Sequence, residues 1–121
     1  MKLHLDAPVG TYLIRSYAPG RLVVGETTYV TSVIINPTTI APWRPATSSE
    51  LGMSDLEPIF ALTPEVVLLG TGERQCFPEP SLIAALASRR IGLEVMDTRA
   101  ACRTYNVLAS ESRAVAAALM L

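Results

Sequence analysis

The sequence predicts an α/β fold: one compact domain with a mixed β-sheet and flanking helices, plus an antiparallel β portion towards the N-terminus. Three observations carry this. Two short apolar runs, Glu65–Leu69 (EVVLL) and Leu93–Met96, bracket a helical pattern within about thirty residues, which is the signature of a βαβ unit. The opening third is rich in β-branched and aromatic residues and is cut by Gly and Pro turn signals. After residue 97 the apolar spacing becomes helical, with one apolar side and a polar side carrying Arg99, Arg103, Asn106 and Ser110.

The 121 residues fit a single domain spanning 1–121, large enough to bury about two-thirds of its unfolded surface. Half of them are apolar and 17% are charged, a balance that excludes disorder. Ten basic and eleven acidic residues leave a net charge of −1, so composition gives no case for nucleic acid or for an anionic membrane surface as partner. Residues 1–10 read as a partly extended, loosely ordered lead-in without a signal-peptide apolar core or an Arg- and Ser-rich transit pattern. No window approaches the roughly 20 apolar residues of a membrane span. The expectation is a cytoplasmic protein with no membrane insertion.

In chain order, residues 11–17 (TYLIRSY) predict a strand ending at the Ala18-Pro19-Gly20 turn, and residues 21–24 a second. Residues 27–35 (TTYVTSVII) predict one long strand, which loses its alternation at Val33-Ile34-Ile35 as a strand covered on both faces does. Asn36-Pro37 stops it. Residues 38–45 (TTIAPWRP) predict an extended edge piece, because Pro42 and Pro45 cannot donate to a ladder. A polar loop over 46–52 precedes a short helix with Ser54 as N-cap and Glu57 completing a capping box, ending near Leu62. Strand 65–69 runs into the Gly70-Thr71-Gly72 turn and a loop to Pro78. Pro80 opens a helix over 81–90, with Gly92 as its C-terminal cap. Strand 93–96 follows, then a helix from Thr98 capped by Asp97 or Thr98. Its buried side is Ala100, Ala101, Thr104, Tyr105, Val107 and Leu108. A break at 109–112 leads to a last, alanine-rich helix over 113–121.

In a parallel sheet, Gly70-Thr71-Gly72 and Asp97-Thr98 both lie at carboxyl strand ends, the edge where open α/β sheets bind ligands. The helix N-terminus there offers N–H donors, and Arg99 and Arg103, one turn apart, extend its positive potential, with Asn106 further along the same side. Gly70, Thr71, Gly72, Thr98, Arg99, Arg103 and Asn106 are therefore the candidate binding residues, suited to a small anionic ligand. The plainer reading is a tight turn needing positive φ at the glycines and an ordinary solvated helix face. GTG supplies only half of a dinucleotide fingerprint, since Gln75 stands at the third position, and no phosphate-loop Lys-Ser/Thr follows. Trp43, the only tryptophan, is a candidate interface residue, against the alternative of core filling.

No catalytic set is present. His4 is the only histidine, and no Ser sits in a G-x-S-x-G elbow. Cys76 and Cys102 are far apart in sequence and read as reduced thiols, Cys102 as a packing residue near a helix start rather than a nucleophile. No metal site and no cofactor is expected.

The GTG turn after an apolar strand, the loop to Phe77-Pro78, and EVMDTRAACRTYNVL (residues 94–108) followed by Glu111, Arg113, Val115 and residues 116–119 resemble the Mth-like domain family. That family includes the mitochondrial complex I assembly factor three proteins and adipogenesis-associated proteins. The resemblance runs from about Gly20 onward, and Tyr29 and Trp43 fall where the family has aromatic residues. Ser112 departs from it, standing where the family often has Gly. The resemblance implies a compact α/β domain without an established activity, of the bacterial form lacking a mitochondrial extension. It further implies a protein-binding role in respiratory-complex assembly, with an unidentified protein partner or a second copy of the chain.

Overall fold

The computed structural model describes residues 10–121. His4 and the lead-in, apart from Gly10, lie outside the described residues. Three antiparallel strands, β1 (Ile14–Ala18), β2 (Arg21–Val24) and β3 (Thr27–Tyr29), form a small meander. A second sheet has the order β5-β4-β8-β6-β7, built from β4 (Val33–Ile35), β5 (Ile40–Pro42), β6 (Val66–Thr71), β7 (Gly92–Met96) and β8 (Val115–Met120). Within it β5, β4 and β8 are antiparallel neighbours, and β8, β6 and β7 are parallel. The helices are α1 (Glu57–Ala61), α2 (Pro80–Ser88) and α3 (Thr98–Ser110). The βαβ unit is thus β6-α2-β7, and the mixed sheet, the flanking helices and the antiparallel N-terminal portion are as expected.

The largest correction concerns residues 113–121. They form no helix: Val115–Met120 is the central strand of the five-stranded sheet. All six of its residues are buried, so neither face is free to be a solvated helix side. Burial between two layers decides against the helix preference of alanine. Residues 27–35 are likewise two strands, not one: the chain breaks at Val30-Thr31-Ser32, and β3 joins the small sheet while β4 joins the large one.

Smaller corrections are local. Ser54 does not cap the first helix. A 3-10 turn over Met53–Leu56 starts after Gly52, whose N–H donates to the Asp55 carboxylate at 2.8 Å, and α1 follows with Pro58 harmlessly in its first turn. Gly92 is the first residue of β7, and the left-handed residue after α2 is Arg90, at φ 59°.

Adjacent β-residues point to opposite faces, and the core follows. Val33, Ile35, Leu68, Val115, Ala117 and Leu119 pack beneath α3 and the small sheet, with Ile14, Leu22, Ala101 and Tyr105. Ile34, Val67, Leu69, Ala118 and Met120 pack on the other face against Trp43, α1 and α2. Trp43 is 5% exposed, and its indole N–H donates to the Asp55 carbonyl at 3.0 Å. It is a core residue, which corrects its reading as an interface residue: a side chain enclosed in this way has no surface left to offer. Beside it Asp55, itself buried, accepts from Arg44 through Nε at 2.8 Å and Nη2 at 2.7 Å.

Candidate functional site

β6 and β7 end side by side, and α3 starts at the same edge, as the strand order requires. Gly70 and Thr71 are still in β6, so the turn is centred on Gly72, whose φ of 88° is a left-handed conformation costly for any other residue. Gly70 is needed for a different reason. A Cβ there would lie 3.0 Å from the Leu119 side chain and 3.0 Å from both Cα and Oγ1 of Thr98. Without a side chain, β6 allows the first residue of α3 to sit directly on the sheet.

That close approach is fixed by Thr98, which is completely buried. Its N–H donates to the Gly72 carbonyl at 2.8 Å, its hydroxyl accepts from the Gly72 N–H at 2.8 Å, and the hydroxyl donates to the Met120 carbonyl at 2.6 Å. One side chain therefore joins the turn, the helix and the central strand. Asp97 caps α3 as expected, accepting from the Ala100 N–H at 2.9 Å. With the Ala101 N–H donating to the Asp97 carbonyl, the donors of Thr98, Ala100 and Ala101 are all taken within the protein. Thr71 accepts from the Cys76 N–H at 3.0 Å and donates to the Arg74 carbonyl, holding its own loop.

Asn106 is also spoken for. Its Oδ1 accepts from the Ile14 N–H and its Nδ2 donates to the Ile14 carbonyl, both at 2.7 Å, so the amide pairs with β1 as a neighbouring strand would. One residue earlier on α3, the Tyr105 hydroxyl donates to the Tyr12 carbonyl at 2.7 Å, and burial raises its pKa above the usual tyrosine value.

Of the seven candidate binding residues, Arg99 and Arg103 remain as exposed, chemically available groups. Neither makes an ion pair among the described residues, where the one pair is Arg44–Asp55. The Arg99 guanidinium lies 5.3 Å from the centre of the Tyr17 ring. On one side of this pair is a depression of about 260 Å³ lined by Tyr17, Pro19, Gly72, Glu73, Asp97 and Arg99. On the other is a groove of about 240 Å³ between Arg15, Ser16 and Tyr17 of β1 and Arg99, Cys102 and Arg103 of α3. The Tyr17 hydroxyl is buried with no hydrogen-bond partner, and burial above all raises its pKa, with the neighbouring Cys102 adding and Arg99 opposing. Arg15, Tyr17 and Glu73 belong to the site although no local motif points to them; only the packing of β1 on α3 brings them there.

For nucleophilic chemistry the edge is poorly equipped. Burial pushes the Cys102 thiol up to about 12, so it stays protonated near neutrality. Cys76 is an exposed thiol on the loop. Among the described residues no three His, Cys, Asp or Glu side chains converge as a metal site would need. No helix of the described residues is long and apolar enough to cross a membrane.

Comparison with known proteins places the chain. The family described as "Protein of unknown function (DUF498/DUF598)" matches residues 14–120. A zebrafish (Danio rerio) protein named NADH dehydrogenase [ubiquinone] 1 alpha subcomplex assembly factor 3 is 35% identical over 117 residues, covering 95% of this chain and 67% of that protein. A Francisella tularensis protein named 13 kDa major membrane protein is 30% identical over 113 residues, covering 92% of this chain and 89% of its own length. The solution structure of a Bordetella pertussis protein described as an Mth938-like domain superposes with a TM-score of 0.82 at 29% identity, over 98% of this chain and 91% of that one.

Proposed function

This chain belongs to the DUF498/DUF598 family of proteins of unknown function, and on that premise we propose that it is a non-catalytic protein-interaction module with an assembly role, as in the building of a respiratory complex. The observation that carries this reading is the state of α3. Its polar residues that face the fold, Thr98 and Asn106, are consumed by backbone partners, whereas Arg99 and Arg103 stand exposed over a shallow surface without a carboxylate partner among the described residues. Such arginines suit a protein partner, whose carboxylates they bind in bidentate fashion. The raised Cys102 thiol argues in the same direction, because it withdraws the nucleophile nearest the site. The relatives named as complex I assembly factors support an assembly role in kind. A docking module needs no membrane helix, cofactor or metal of its own, and on this reading it works in the cytoplasm.

The test is affinity capture with the tagged full chain and with Arg99→Ala/Arg103→Ala. The expected outcome is a defined partner held by the wild type and lost by the variant at unchanged Tm. Equal recovery by both proteins would refute the reading.

A second reading is a small anionic ligand in the depression beside Gly72, with Arg99 as its cation. The depression of about 260 Å³ beside the Arg99 cation favours it, although the volume falls just below the usual span of ligand pockets and the wall carries Glu73 and Asp97. A thermal-shift screen of small phosphates and carboxylates that leaves Tm unmoved would dismiss it.

A further inference from the structure

We propose that the groove between β1 and α3, framed by Arg15, Arg99 and Arg103, seats a short acidic peptide segment of the partner protein; this rests on the interaction role argued above and specifies its chemistry. The three arginines line one groove from two elements whose mutual position is fixed, and Arg15 Nη1 also donates to the Gly25 carbonyl at 3.4 Å, an exposed bond that leaves its other N–H groups to a ligand. Asn106 holds the Ile14 backbone through two hydrogen bonds of 2.7 Å, immediately beside Arg15. The β1–β2 register shifts between Ile14 and Ser16, so Arg15 sits at a bulge, a device that re-aims a side chain away from the regular pleat. A bulged residue tied one position away to α3 is presented with Arg99 and Arg103 along one groove. Preorganisation of this kind lowers the ordering cost of binding.

Charge selects the occupant. All three arginines lack a carboxylate partner among the described residues, in a chain whose net charge is −1. Like charges gathered on one groove repel until a counter-charge arrives. On the far side of the Arg99–Tyr17 pair the wall turns acidic, with Glu73 and Asp97. A long uniform polyanion laid along this edge runs from the arginines into those carboxylates. A few acidic side chains on a peptide end before reaching them. The geometry therefore favours a local acidic segment over nucleic acid, and bidentate guanidinium–carboxylate pairing supplies the specificity.

The experiment is fluorescence anisotropy of a fluorescein-labelled oligoglutamate peptide titrated with the full chain at low ionic strength. Saturable binding is expected, weakened about tenfold or more by Arg15→Glu and by Arg103→Glu, and weakened by added salt. Arg113→Glu, which makes the same change of net charge at an exposed position outside the groove, is expected to leave affinity within about twofold. Melting curves of all variants verify folding. An equal loss in Arg113→Glu, or tighter binding of a single-stranded oligonucleotide than of the peptide, would overturn the proposal. If the peptide fails to bind while capture of a partner still depends on Arg99 and Arg103, the acidic-segment proposal falls and the interaction role stands. If capture also fails to depend on them, both fall.

Discussion

The two faces of the five-stranded sheet are closed by different chemistry. On the α3 face the ties are neutral side chains bonded to backbone of another element: Thr98 to Gly72 and Met120, Tyr105 to Tyr12, Asn106 to Ile14. On the opposite face the cover is apolar, Trp43 with α1 and α2, and beside the indole bond to the Asp55 carbonyl it carries a charged tie, the ion pair of Asp55 with Arg44. Neutral bonds to backbone fix a helix at one position and do not titrate in the acid range. An ion pair anchors a loop and does. The face that presents Arg99 and Arg103 is thus joined to its neighbouring elements by uncharged bonds, and its one carboxylate tie, the Asp97 cap, acts within α3 itself.

The largest test of this contrast is Trp43→Ala. Removing a buried indole from the second core is expected to cost about 3–5 kcal/mol in urea unfolding and to leave the α3 edge in place; a loss below about 1 kcal/mol would show that the Trp43 face is dispensable. Next is Thr98→Val, which keeps the volume but leaves the Gly72 N–H and the Met120 carbonyl without their partner. The expected cost is about 1–3 kcal/mol, accompanied by faster amide exchange at Gly72; slow exchange there would contradict the tie. Tyr105→Phe removes a single hydrogen bond, for about 1 kcal/mol, read as a small fall in Tm with unchanged near-neutral pH dependence.

The smallest effect is that of acid. Hydrogen bonding from Arg44 holds the Asp55 carboxyl below its usual 3.8, against the opposing pull of burial. A carboxyl with a lowered folded pKa contributes stability that is fully present above its unfolded value and is lost as pH falls through the folded one. Because the Arg44 side chain is 60% exposed, solvent screens the pair. Tm is expected to fall below pH 4 by less than Tyr105→Phe lowers it at neutrality, and this acid limb is expected to vanish in Asp55→Asn. An unchanged acid limb in that variant would assign it to other carboxyls.

Two alanine-rich segments show what can be read from sequence alone. In α3, the arginines at 99 and 103 interrupt the apolar residues at helical spacing, and the buried positions Ala101, Cys102, Tyr105 and Ala109 repeat it. The pattern is local, so the helix and its Asp97 cap are legible. In β8 the run Val115–Met120 contains no polar residue to mark a period, and alanine favours helix when nothing else decides. What decides is the two-sided burial, a property of the folded whole. The same divide runs through the site. Arg99 and Arg103 are legible as a pair one turn apart. Arg15 and Tyr17 are not, because they reach the groove through the packing of a distant strand. Thr98 and Asn106 look like solvated polar residues until the backbone groups they serve are known.

The place of β8 also sets the order of events during synthesis. β4 and β6 share no ladder; each pairs with β8, one antiparallel and the other parallel. As the polypeptide leaves the ribosome, the meander with β4 and β5 and the β6-α2-β7 unit emerge as two separate pieces. Both leave the flank reserved for residues 115–120 open, and such unpaired flanks invite association with other chains. The joining contacts link positions far apart in the chain, the slow kind to form. Completion of the sheet must therefore wait until those residues are released, and until then the nascent protein depends on the speed of that last insertion.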